Sequence, residues 1–260
     1  MLLRTNMWGF MIKYLKKMIK SVVEKKYIVL SKAGITYSKD YLHTYNNADF
    51  QKDPKFQKAY EHVARLDTAG ITGEGIEWRI HVLCWAASLA SRLEGDFVDC
   101  GVNTGLFSRA VIEYIDFNCL GKTYYLLDTF SGMDPRFSSD YEMARHHTIG
   151  YDNNDELYDQ VIETFSGFSV RVIKGAIPDT LEQVCSKGIA YLSIDMNCVM
   201  PEVAALEFFW DRLVSGGVIV LDDYGYPGAN EQKHAHDKFA LSKGVQILSL
   251  PTCQGLIIKP

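Results

Sequence analysis

The chain has 260 residues, 27 Lys and Arg against 32 Asp and Glu, a formal net charge of −5, and 47% hydrophobic residues. This length buries the core of one large α/β domain, or of one domain plus an extension, and the acidic balance argues against nucleic acid as a partner. The six cysteines form no CxxC pair and no metal-ligand spacing, so they read as reduced, mostly buried thiols of a cytoplasmic protein. No apolar run approaches the roughly 20 residues of a membrane span.

Residues 1–75 read as an N-terminal segment and 76–260 as the main domain. In "MWGFMIKYLKKMIKSVVEKK", Trp8, Met11, Ile12, Leu15, Ile19 and Val22 recur at helical spacing, with Lys13, Lys16, Lys17 and Lys20 mostly elsewhere on the wheel. The lysines interrupt any apolar core and make this a poor secretory signal. A basic amphipathic helix of this kind packs on its own domain or on a second subunit, giving a homodimer; peripheral contact with an anionic membrane is the competing use. Residues 31–75 are polar and aromatic, and Asp53-Pro54 marks a helix start. "ITGEG" (71–75) is a loop, and a helix then runs from Glu77 to Leu93, with Gly95 ending it.

From residue 96 strands and helices alternate. "DFVDCG" (96–101), "KTYYLLDTF" (122–130), "SVRVIKGAIPDTL" (169–181), "IAYLSIDMN" (189–197) and "GVIVLDDYG" (217–225) carry five strands, the third with its following loop. Helices fall in "NTGLFSRAVIEYI", "NDELYDQVIETFSGF", "PEVAALEFFWDRLVSGG" and "NEQKHAHDKFALSKG"; "SSDYEMARHHTIGYDNN" reads as a polar loop, and "VQILSLPTCQGLIIK" as a closing hairpin. Five such alternations predict a doubly wound, mostly parallel sheet with helices on both faces, a Rossmann-like α/β fold.

Ligands of such sheets bind beyond the C-terminal strand ends. Acids recur there: Asp99, Asp128, Asp195, and the adjacent pair Asp222 and Asp223. The first two fit a nucleoside cofactor. "VDCGVNTG" sets Gly101 and Gly105 in the loop after the first strand, where the missing β-carbon lets backbone approach a ligand. The spacing is one glycine short of the pyrophosphate-binding GxGxxG, so a nucleoside without a diphosphate is expected, such as S-adenosylmethionine. Asp128, at the tip of the second strand, stands where an acid takes a ribose diol. Gly175, in the loop after the third strand, joins this group.

Asp195, Asp222 and Asp223 converge if the fourth and fifth strands are neighbours. Three carboxylates stay ionised in a small volume only beside a cation. Oxygen ligands without Cys or His suit Mg²⁺, with the Asn197 carbonyl as an added donor; such an ion lowers the pKa of a substrate hydroxyl and orients it.

With these stretches in place, "DFVDCGVNTG", "LLDTFSGM", "VIKGAIPDTL", "LSIDMN" and "GGVIVLDDYG", the sequence resembles the macrocin O-methyltransferase (TylF-type) family over about residues 95–226. The resemblance implies a class I methyltransferase fold of seven strands, S-adenosylmethionine as donor, and Mg²⁺-dependent methylation of a hydroxyl on a sugar or related small molecule. It implies methionine-end contacts from Asp99, Cys100, Gly101 and Asn103, a ribose contact from Asp128, metal ligation by Asp195, Asp222 and Asp223, and a base role for Asp195. The family's "IDGD" run reads "IDMN" here, so Asn197 stands where a second acid is usual.

Several other residues are candidates. His146, His147, His234 and His236 are alternative bases. Tyr224 is a substrate contact or a pocket wall, and Arg136 a contact for an acidic substrate. Thr72, Glu74 and Glu77 are cofactor contacts, and Tyr124 and Tyr125 are core. Two rival functions are a metal-independent methyltransferase using a His base, and a non-catalytic, cofactor-binding scaffold or peripheral membrane protein.

Overall fold

The computed structural model describes residues 35–66, 75–149 and 156–260, the side chains of 146–149 excepted. The basic helix expected over 1–30, with the dimer or membrane contact assigned to it, lies outside the described residues, as do Thr72 and Glu74. The chain divides into two compact units: 1–38 with 43–47, and 39–42 with 48–260. This does not coincide with a boundary at 75/76, because residues 48–66 belong to the larger unit. In the smaller unit, the Thr36 N–H donates to the Thr44 carbonyl at 3.0 Å.

The larger unit is built on a sheet of seven strands. The strands are β3 (Asp96–Cys100), β4 (Tyr124–Asp128), β5 (Val170–Lys174), β6 (Ile189–Ile194), β7 (Leu213–Leu221), β8 (Leu248–Ser249) and β9 (Gly255–Ile258). Their order across the sheet is β5-β4-β3-β6-β7-β9-β8. β3 to β7 pair in parallel, and β9 enters antiparallel between β7 and β8. The short strands β1 (Tyr37–Lys39) and β2 (Leu42–Thr44) form a two-stranded sheet of their own.

Period-two alternation sends successive side chains to opposite faces. Val98, Cys100, Tyr125, Leu127 and Leu192 pack against α6 (Val199–Trp210) and α7 (Asn230–Ser242). Phe97, Tyr124, Leu126 and Tyr191 pack against α2 (Glu77–Ala90), α3 (Leu106–Ile115) and α5 (Leu157–Thr164). A third cluster, formed by Phe56, Val63, Ile80, Cys84, Leu106 and Ala110, seats α1 (Pro54–Leu66) on α2 and α3.

Three elements differ from the sequence reading. The segment 213–217, read as helix end, begins β7: Leu213 pairs with Ile189 and Gly216 and Gly217 bond Lys259, so sheet pairing on both sides overrides helical spacing. The helix α2 ends at Ala90 rather than Leu93. The stretch read as a polar loop contains α4 (Asp140–Ile149). Its N-terminus is a capping box: the Ser139 N–H donates to Glu142 Oε2 at 2.7 Å and the Glu142 N–H to Ser139 Oγ at 3.3 Å. Of the six cysteines, Cys84, Cys100 and Cys198 are buried, while Cys119 and Cys185 are exposed.

Candidate active site

The parallel ladder continues one residue past the strand ends and aligns the loops that carry the acids. The Gly175 N–H donates to the Asp128 carbonyl at 2.9 Å, Gly101 to Leu127 at 2.9 Å, Asp195 to Cys100 at 2.8 Å, and Asp222 to Ile194 at 3.0 Å. Four connections that are distant in sequence thus meet at one sheet edge. There they border a cavity of about 610 Å³ lined by Gly101, Asn103, Asp128, Gly175, Asp195, Asn197, Asp222 and Asp223 among others, a volume typical of small-molecule sites. Gly101 could not be replaced: its φ is +95°, and a β-carbon would lie 1.8 Å from the Asp195 carbonyl oxygen. The loops that follow β3 and β6 therefore meet backbone on backbone, which brings the glycine loop against the acid loop.

On the β3/β4 side, Asp128 organises the glycine loop. Its Oδ2 accepts the Asn103 N–H at 2.8 Å and its Oδ1 the Phe130 N–H at 2.7 Å. Asn103 and Phe130 both have positive φ, +48° and +50°, so the carboxylate pins two left-handed turns. Gly105, at φ +82°, opens α3 where a β-carbon would lie 2.4 Å from the Phe165 ring, and sits outside the cavity lining.

Asp99 and Cys100 do not line the cavity, contrary to the contacts expected of them. Strand alternation turns Asp99 toward α3, where Ser108 Oγ donates to it, and turns Cys100 into the opposite core. Burial, countered by hydrogen bonds from Ser108 and Ser193, pushes the Asp99 carboxyl up to about 7.

On the β6/β7 side the acids meet a cation that the sequence reading did not identify. Arg79, on α2, is 7% exposed. Its Nη1 lies 2.6 Å from Asp222 Oδ2 and 3.5 Å from Asp223 Oδ1, and its Nε donates to Asp40 Oδ2 at 2.8 Å. Burial alone would lower the guanidinium pKa; Asp222, Asp40 and Asp223 outweigh it and raise it. Asp40 and Tyr41 have φ +48° and +57°, as a two-residue hairpin turn between β1 and β2 requires. Asp222 Oδ1 accepts from Gln254 Nε2 at 3.0 Å.

Asp195 and Asp223 keep less support. Burial first, then Asp222 and Asp223, raises Asp195 well above the usual carboxylate range, with Arg79 opposing. Burial and Asp222 push Asp223 up to about 7, again against Arg79. Asn197, at φ +59°, directs its Nδ2 to Asp195 Oδ1 at 3.3 Å, and its Oδ1 accepts from Arg145 Nη2 at 3.1 Å. The carbonyl expected to face a metal thus faces Arg145, whose Nη2 also lies 3.8 Å from Asp223 Oδ2. Among the described residues no group of three or more His, Cys, Asp or Glu is disposed to hold a metal ion. The three-acid ligand set is altered because Asp222 is engaged by Arg79 and Gln254.

The remaining candidates lie elsewhere. His236 is buried with Nε2 3.0 Å from Glu202 Oε2, away from the cavity, and His234 is exposed. The Tyr224 hydroxyl donates to Asp237 at 2.6 Å rather than into the cavity, which Tyr224 does not line. Arg136 pairs with Asp134 and Asp179 at the surface, Glu77 with Lys39 at 2.9 Å, and Tyr124 and Tyr125 are core. The side chains of His146 and His147 lie outside the described ones. Arg79 and Arg145 left faint signals: one arginine in the apolar run "WRIHVLCWAASLA", and the capping box "SDYE" that starts the helix carrying Arg145.

A seven-stranded sheet of this order, with a glycine loop after β3 and acids beyond β4, β6 and β7, defines the class I methyltransferase fold. A solved calicheamicin methyltransferase, CalS11, shares it with a TM-score of 0.61 at 13% identity, covering 88% of this chain and 99% of that one. The macrocin-O-methyltransferase (TylF) family profile matches residues 15–247, and the chain belongs to that family. Two curated relatives are similar. One is the 8-demethyl-8-(2,3-dimethoxy-alpha-L-rhamnosyl)-tetracenomycin-C 4'-O-methyltransferase of Streptomyces olivaceus, 26% identical, covering 58% of this chain. The other is the mycinamicin III 3''-O-methyltransferase of Micromonospora griseorubida, 24% identical, covering 61% of this chain. The matches span 61% and 67% of those relatives' own lengths. Among the described residues no helix is long and apolar enough to cross a membrane.

Proposed function

We propose that the protein is an S-adenosylmethionine-dependent O-methyltransferase that methylates a hydroxyl of a small glycosidic molecule and uses Mg²⁺. One observation carries this reading: a single cavity joins a nucleoside-type edge, Asn103, Asp128 and Gly175, to an acid cluster, Asp195, Asp222 and Asp223. The first named relative, by its description an O-methyltransferase of a rhamnosyl-bearing molecule, supports the acceptor class.

The cofactor supplies an electrophilic methyl group on a sulfonium. Asp128 takes the ribose diol with the lone pairs that its two backbone donors leave free, and Gly101 and Asn103 border the amino-acid end. Asp195 would accept the acceptor hydroxyl's proton as that oxygen takes up the methyl group. Asn197 Nδ2 fixes the orientation of Asp195. The donor set also fits Mg²⁺, which binds through one or two carboxylates and keeps several waters. Asp195 and Asp223 are the two, with Asp222 neutralised by Arg79. When bound, the ion supplies a lowered pKa at the acceptor hydroxyl.

The test is calorimetric titration of S-adenosylhomocysteine into the full chain, followed by transfer of labelled methyl to a panel of glycosides with Mg²⁺ and with chelator. Binding plus chelator-sensitive transfer is expected. No binding removes the methyltransferase reading. The ion pairs of Arg79 favour one second reading, a metal-free reaction with Asp195 alone as base, and turnover that survives chelation selects it.

A further inference from the structure

We infer that Arg79 is a resident counter-cation that holds Asp222, competes with a divalent metal ion for Asp223 and thereby sets the metal affinity of the site. The inference rests on the metal half of the proposed function. It starts from where the charges lie. Six aspartates line one cavity, Asp40, Asp195, Asp222 and Asp223 at one side of it and Asp128 and Asp134 besides, and Arg79 and Arg145 also line it. A single Arg79 nitrogen, Nη1, reaches both Asp222 Oδ2 and Asp223 Oδ1. A divalent ion binding either acid through the oxygen facing Arg79 would meet the guanidinium a few ångströms away, and the repulsion of like charges in a buried site is large. Either the ion binds less tightly or the arginine moves off.

Asp40 bears on which happens. It holds Nε of the same guanidinium from the turn of the β1/β2 hairpin, so the fork is fixed at two points. An arginine held at two points does not swing aside as a free side chain would. Gln254, which donates to Asp222 Oδ1, occupies the other oxygen of that acid and completes its enclosure by protein donors. Among the described residues the Asp223 side chain has no comparable short bond: its contacts to Arg79 and Arg145 are 3.5 and 3.8 Å. The geometry assigns Asp222 to the arginine and leaves Asp223 as the acid over which arginine and metal compete.

A purely structural ion pair would stabilise the fold and leave metal affinity alone, so the experiment measures affinity directly. Mn²⁺ is titrated into the full chain, without cofactor or acceptor, by calorimetry and by the loss of its free paramagnetic resonance signal. Arg79→Gln should bind Mn²⁺ at least about tenfold more tightly than the unaltered protein. Lys233→Gln removes a charge paired with Asp237 outside the cavity and should stay within about twofold, which separates a local effect from net charge. Arg79→Lys keeps the charge without the fork, and an intermediate gain is expected; it decides the matter if the glutamine variant does not fold. Unchanged or weaker binding in the folded Arg79 variants overturns the inference while leaving the metal reading intact if the unaltered protein binds. Binding by Arg79→Gln but not by the unaltered protein supports it. No Mn²⁺ binding by any variant overturns it together with the metal reading, and S-adenosylhomocysteine titration still tests the cofactor reading separately.

Discussion

Arg79 and Asp222, 143 positions apart in sequence, meet in the interior at 2.6 Å, each with under a tenth of its side chain exposed. The contact joins α2 to the end of β7 on the face of the sheet where α2 packs. It also explains how two adjacent carboxylates are tolerated at the tip of a buried strand: a guanidinium stands beside both. Removing one member of such a pair leaves an unpaired buried charge, which costs about 3–5 kcal/mol, more than the pair itself contributes. Arg79→Met should therefore lower unfolding stability by that order in urea denaturation. The double variant Arg79→Met/Asp222→Asn should lose clearly less than the sum of the singles, and additivity would show that the contact carries no coupling.

Asp128 supports the glycine loop twice, through the Asn103 and Phe130 N–H groups, and is the proposed ribose contact. Asp128→Ala should weaken S-adenosylhomocysteine binding by at least about tenfold, since a hydrogen bond to a charged group is worth roughly 1.5–3 kcal/mol. Calorimetry checks this, and retained affinity would place the ribose elsewhere.

Asp195 is the proposed proton acceptor. Asp195→Asn should reduce kcat by about 10²–10⁴-fold, the range of general base catalysis, while S-adenosylhomocysteine affinity stays within about threefold. A variant with near-normal turnover would transfer the base role to another group.

Asp99 makes stability depend on pH. Burial holds its folded carboxyl protonated up to about 7, against an ordinary value of 3.8. Between those values the folded state binds a proton that the unfolded state has released, so stability falls as pH rises through that window, by up to about 4 kcal/mol for this group. Asp99→Asn keeps a partner for Ser108 and removes the titration. Its stability should fall less than that of the unaltered protein between about pH 4 and 7 in denaturant titrations, and parallel curves would disprove the shift.

Glu142 closes the capping box of α4 and, through Oε1, accepts the N–H of Val199 at 2.7 Å at the start of α6. Glu142→Ala should cost about 1–3 kcal/mol, for a buried donor left unsatisfied and a lost cap. By loosening the helix that carries Arg145, it should also raise the acceptor KM more than it lowers kcat. Steady-state kinetics alongside thermal unfolding separates the two effects.

Much of this protein is written in local pattern. The alternation of apolar runs such as "YLLD" and "GVIVLDD" with helical spacing dictates a parallel sheet, because only such runs bury both faces of a strand. An acid placed directly after each run must then lie along one edge, which is why Asp128, Asp195, Asp222 and Asp223 could be located before any fold was known. Strand alternation could in principle also have turned Asp99 and Cys100 inward, but the register of β3 between two helical layers had to be seen first. What the linear chain does not contain is who neutralises whom. Asp40 from a hairpin turn, Arg79 from α2, Asp222 from β7 and Gln254 beside β9 are far apart in sequence and carry no shared motif. They meet only because the ladder and the α2 packing bring them within hydrogen-bond distance. Electrostatic pairing acts through space, whereas hydrophobic periodicity acts along the chain; the fold class was therefore legible in the sequence, and the cation facing the acid pair was decided by the tertiary structure.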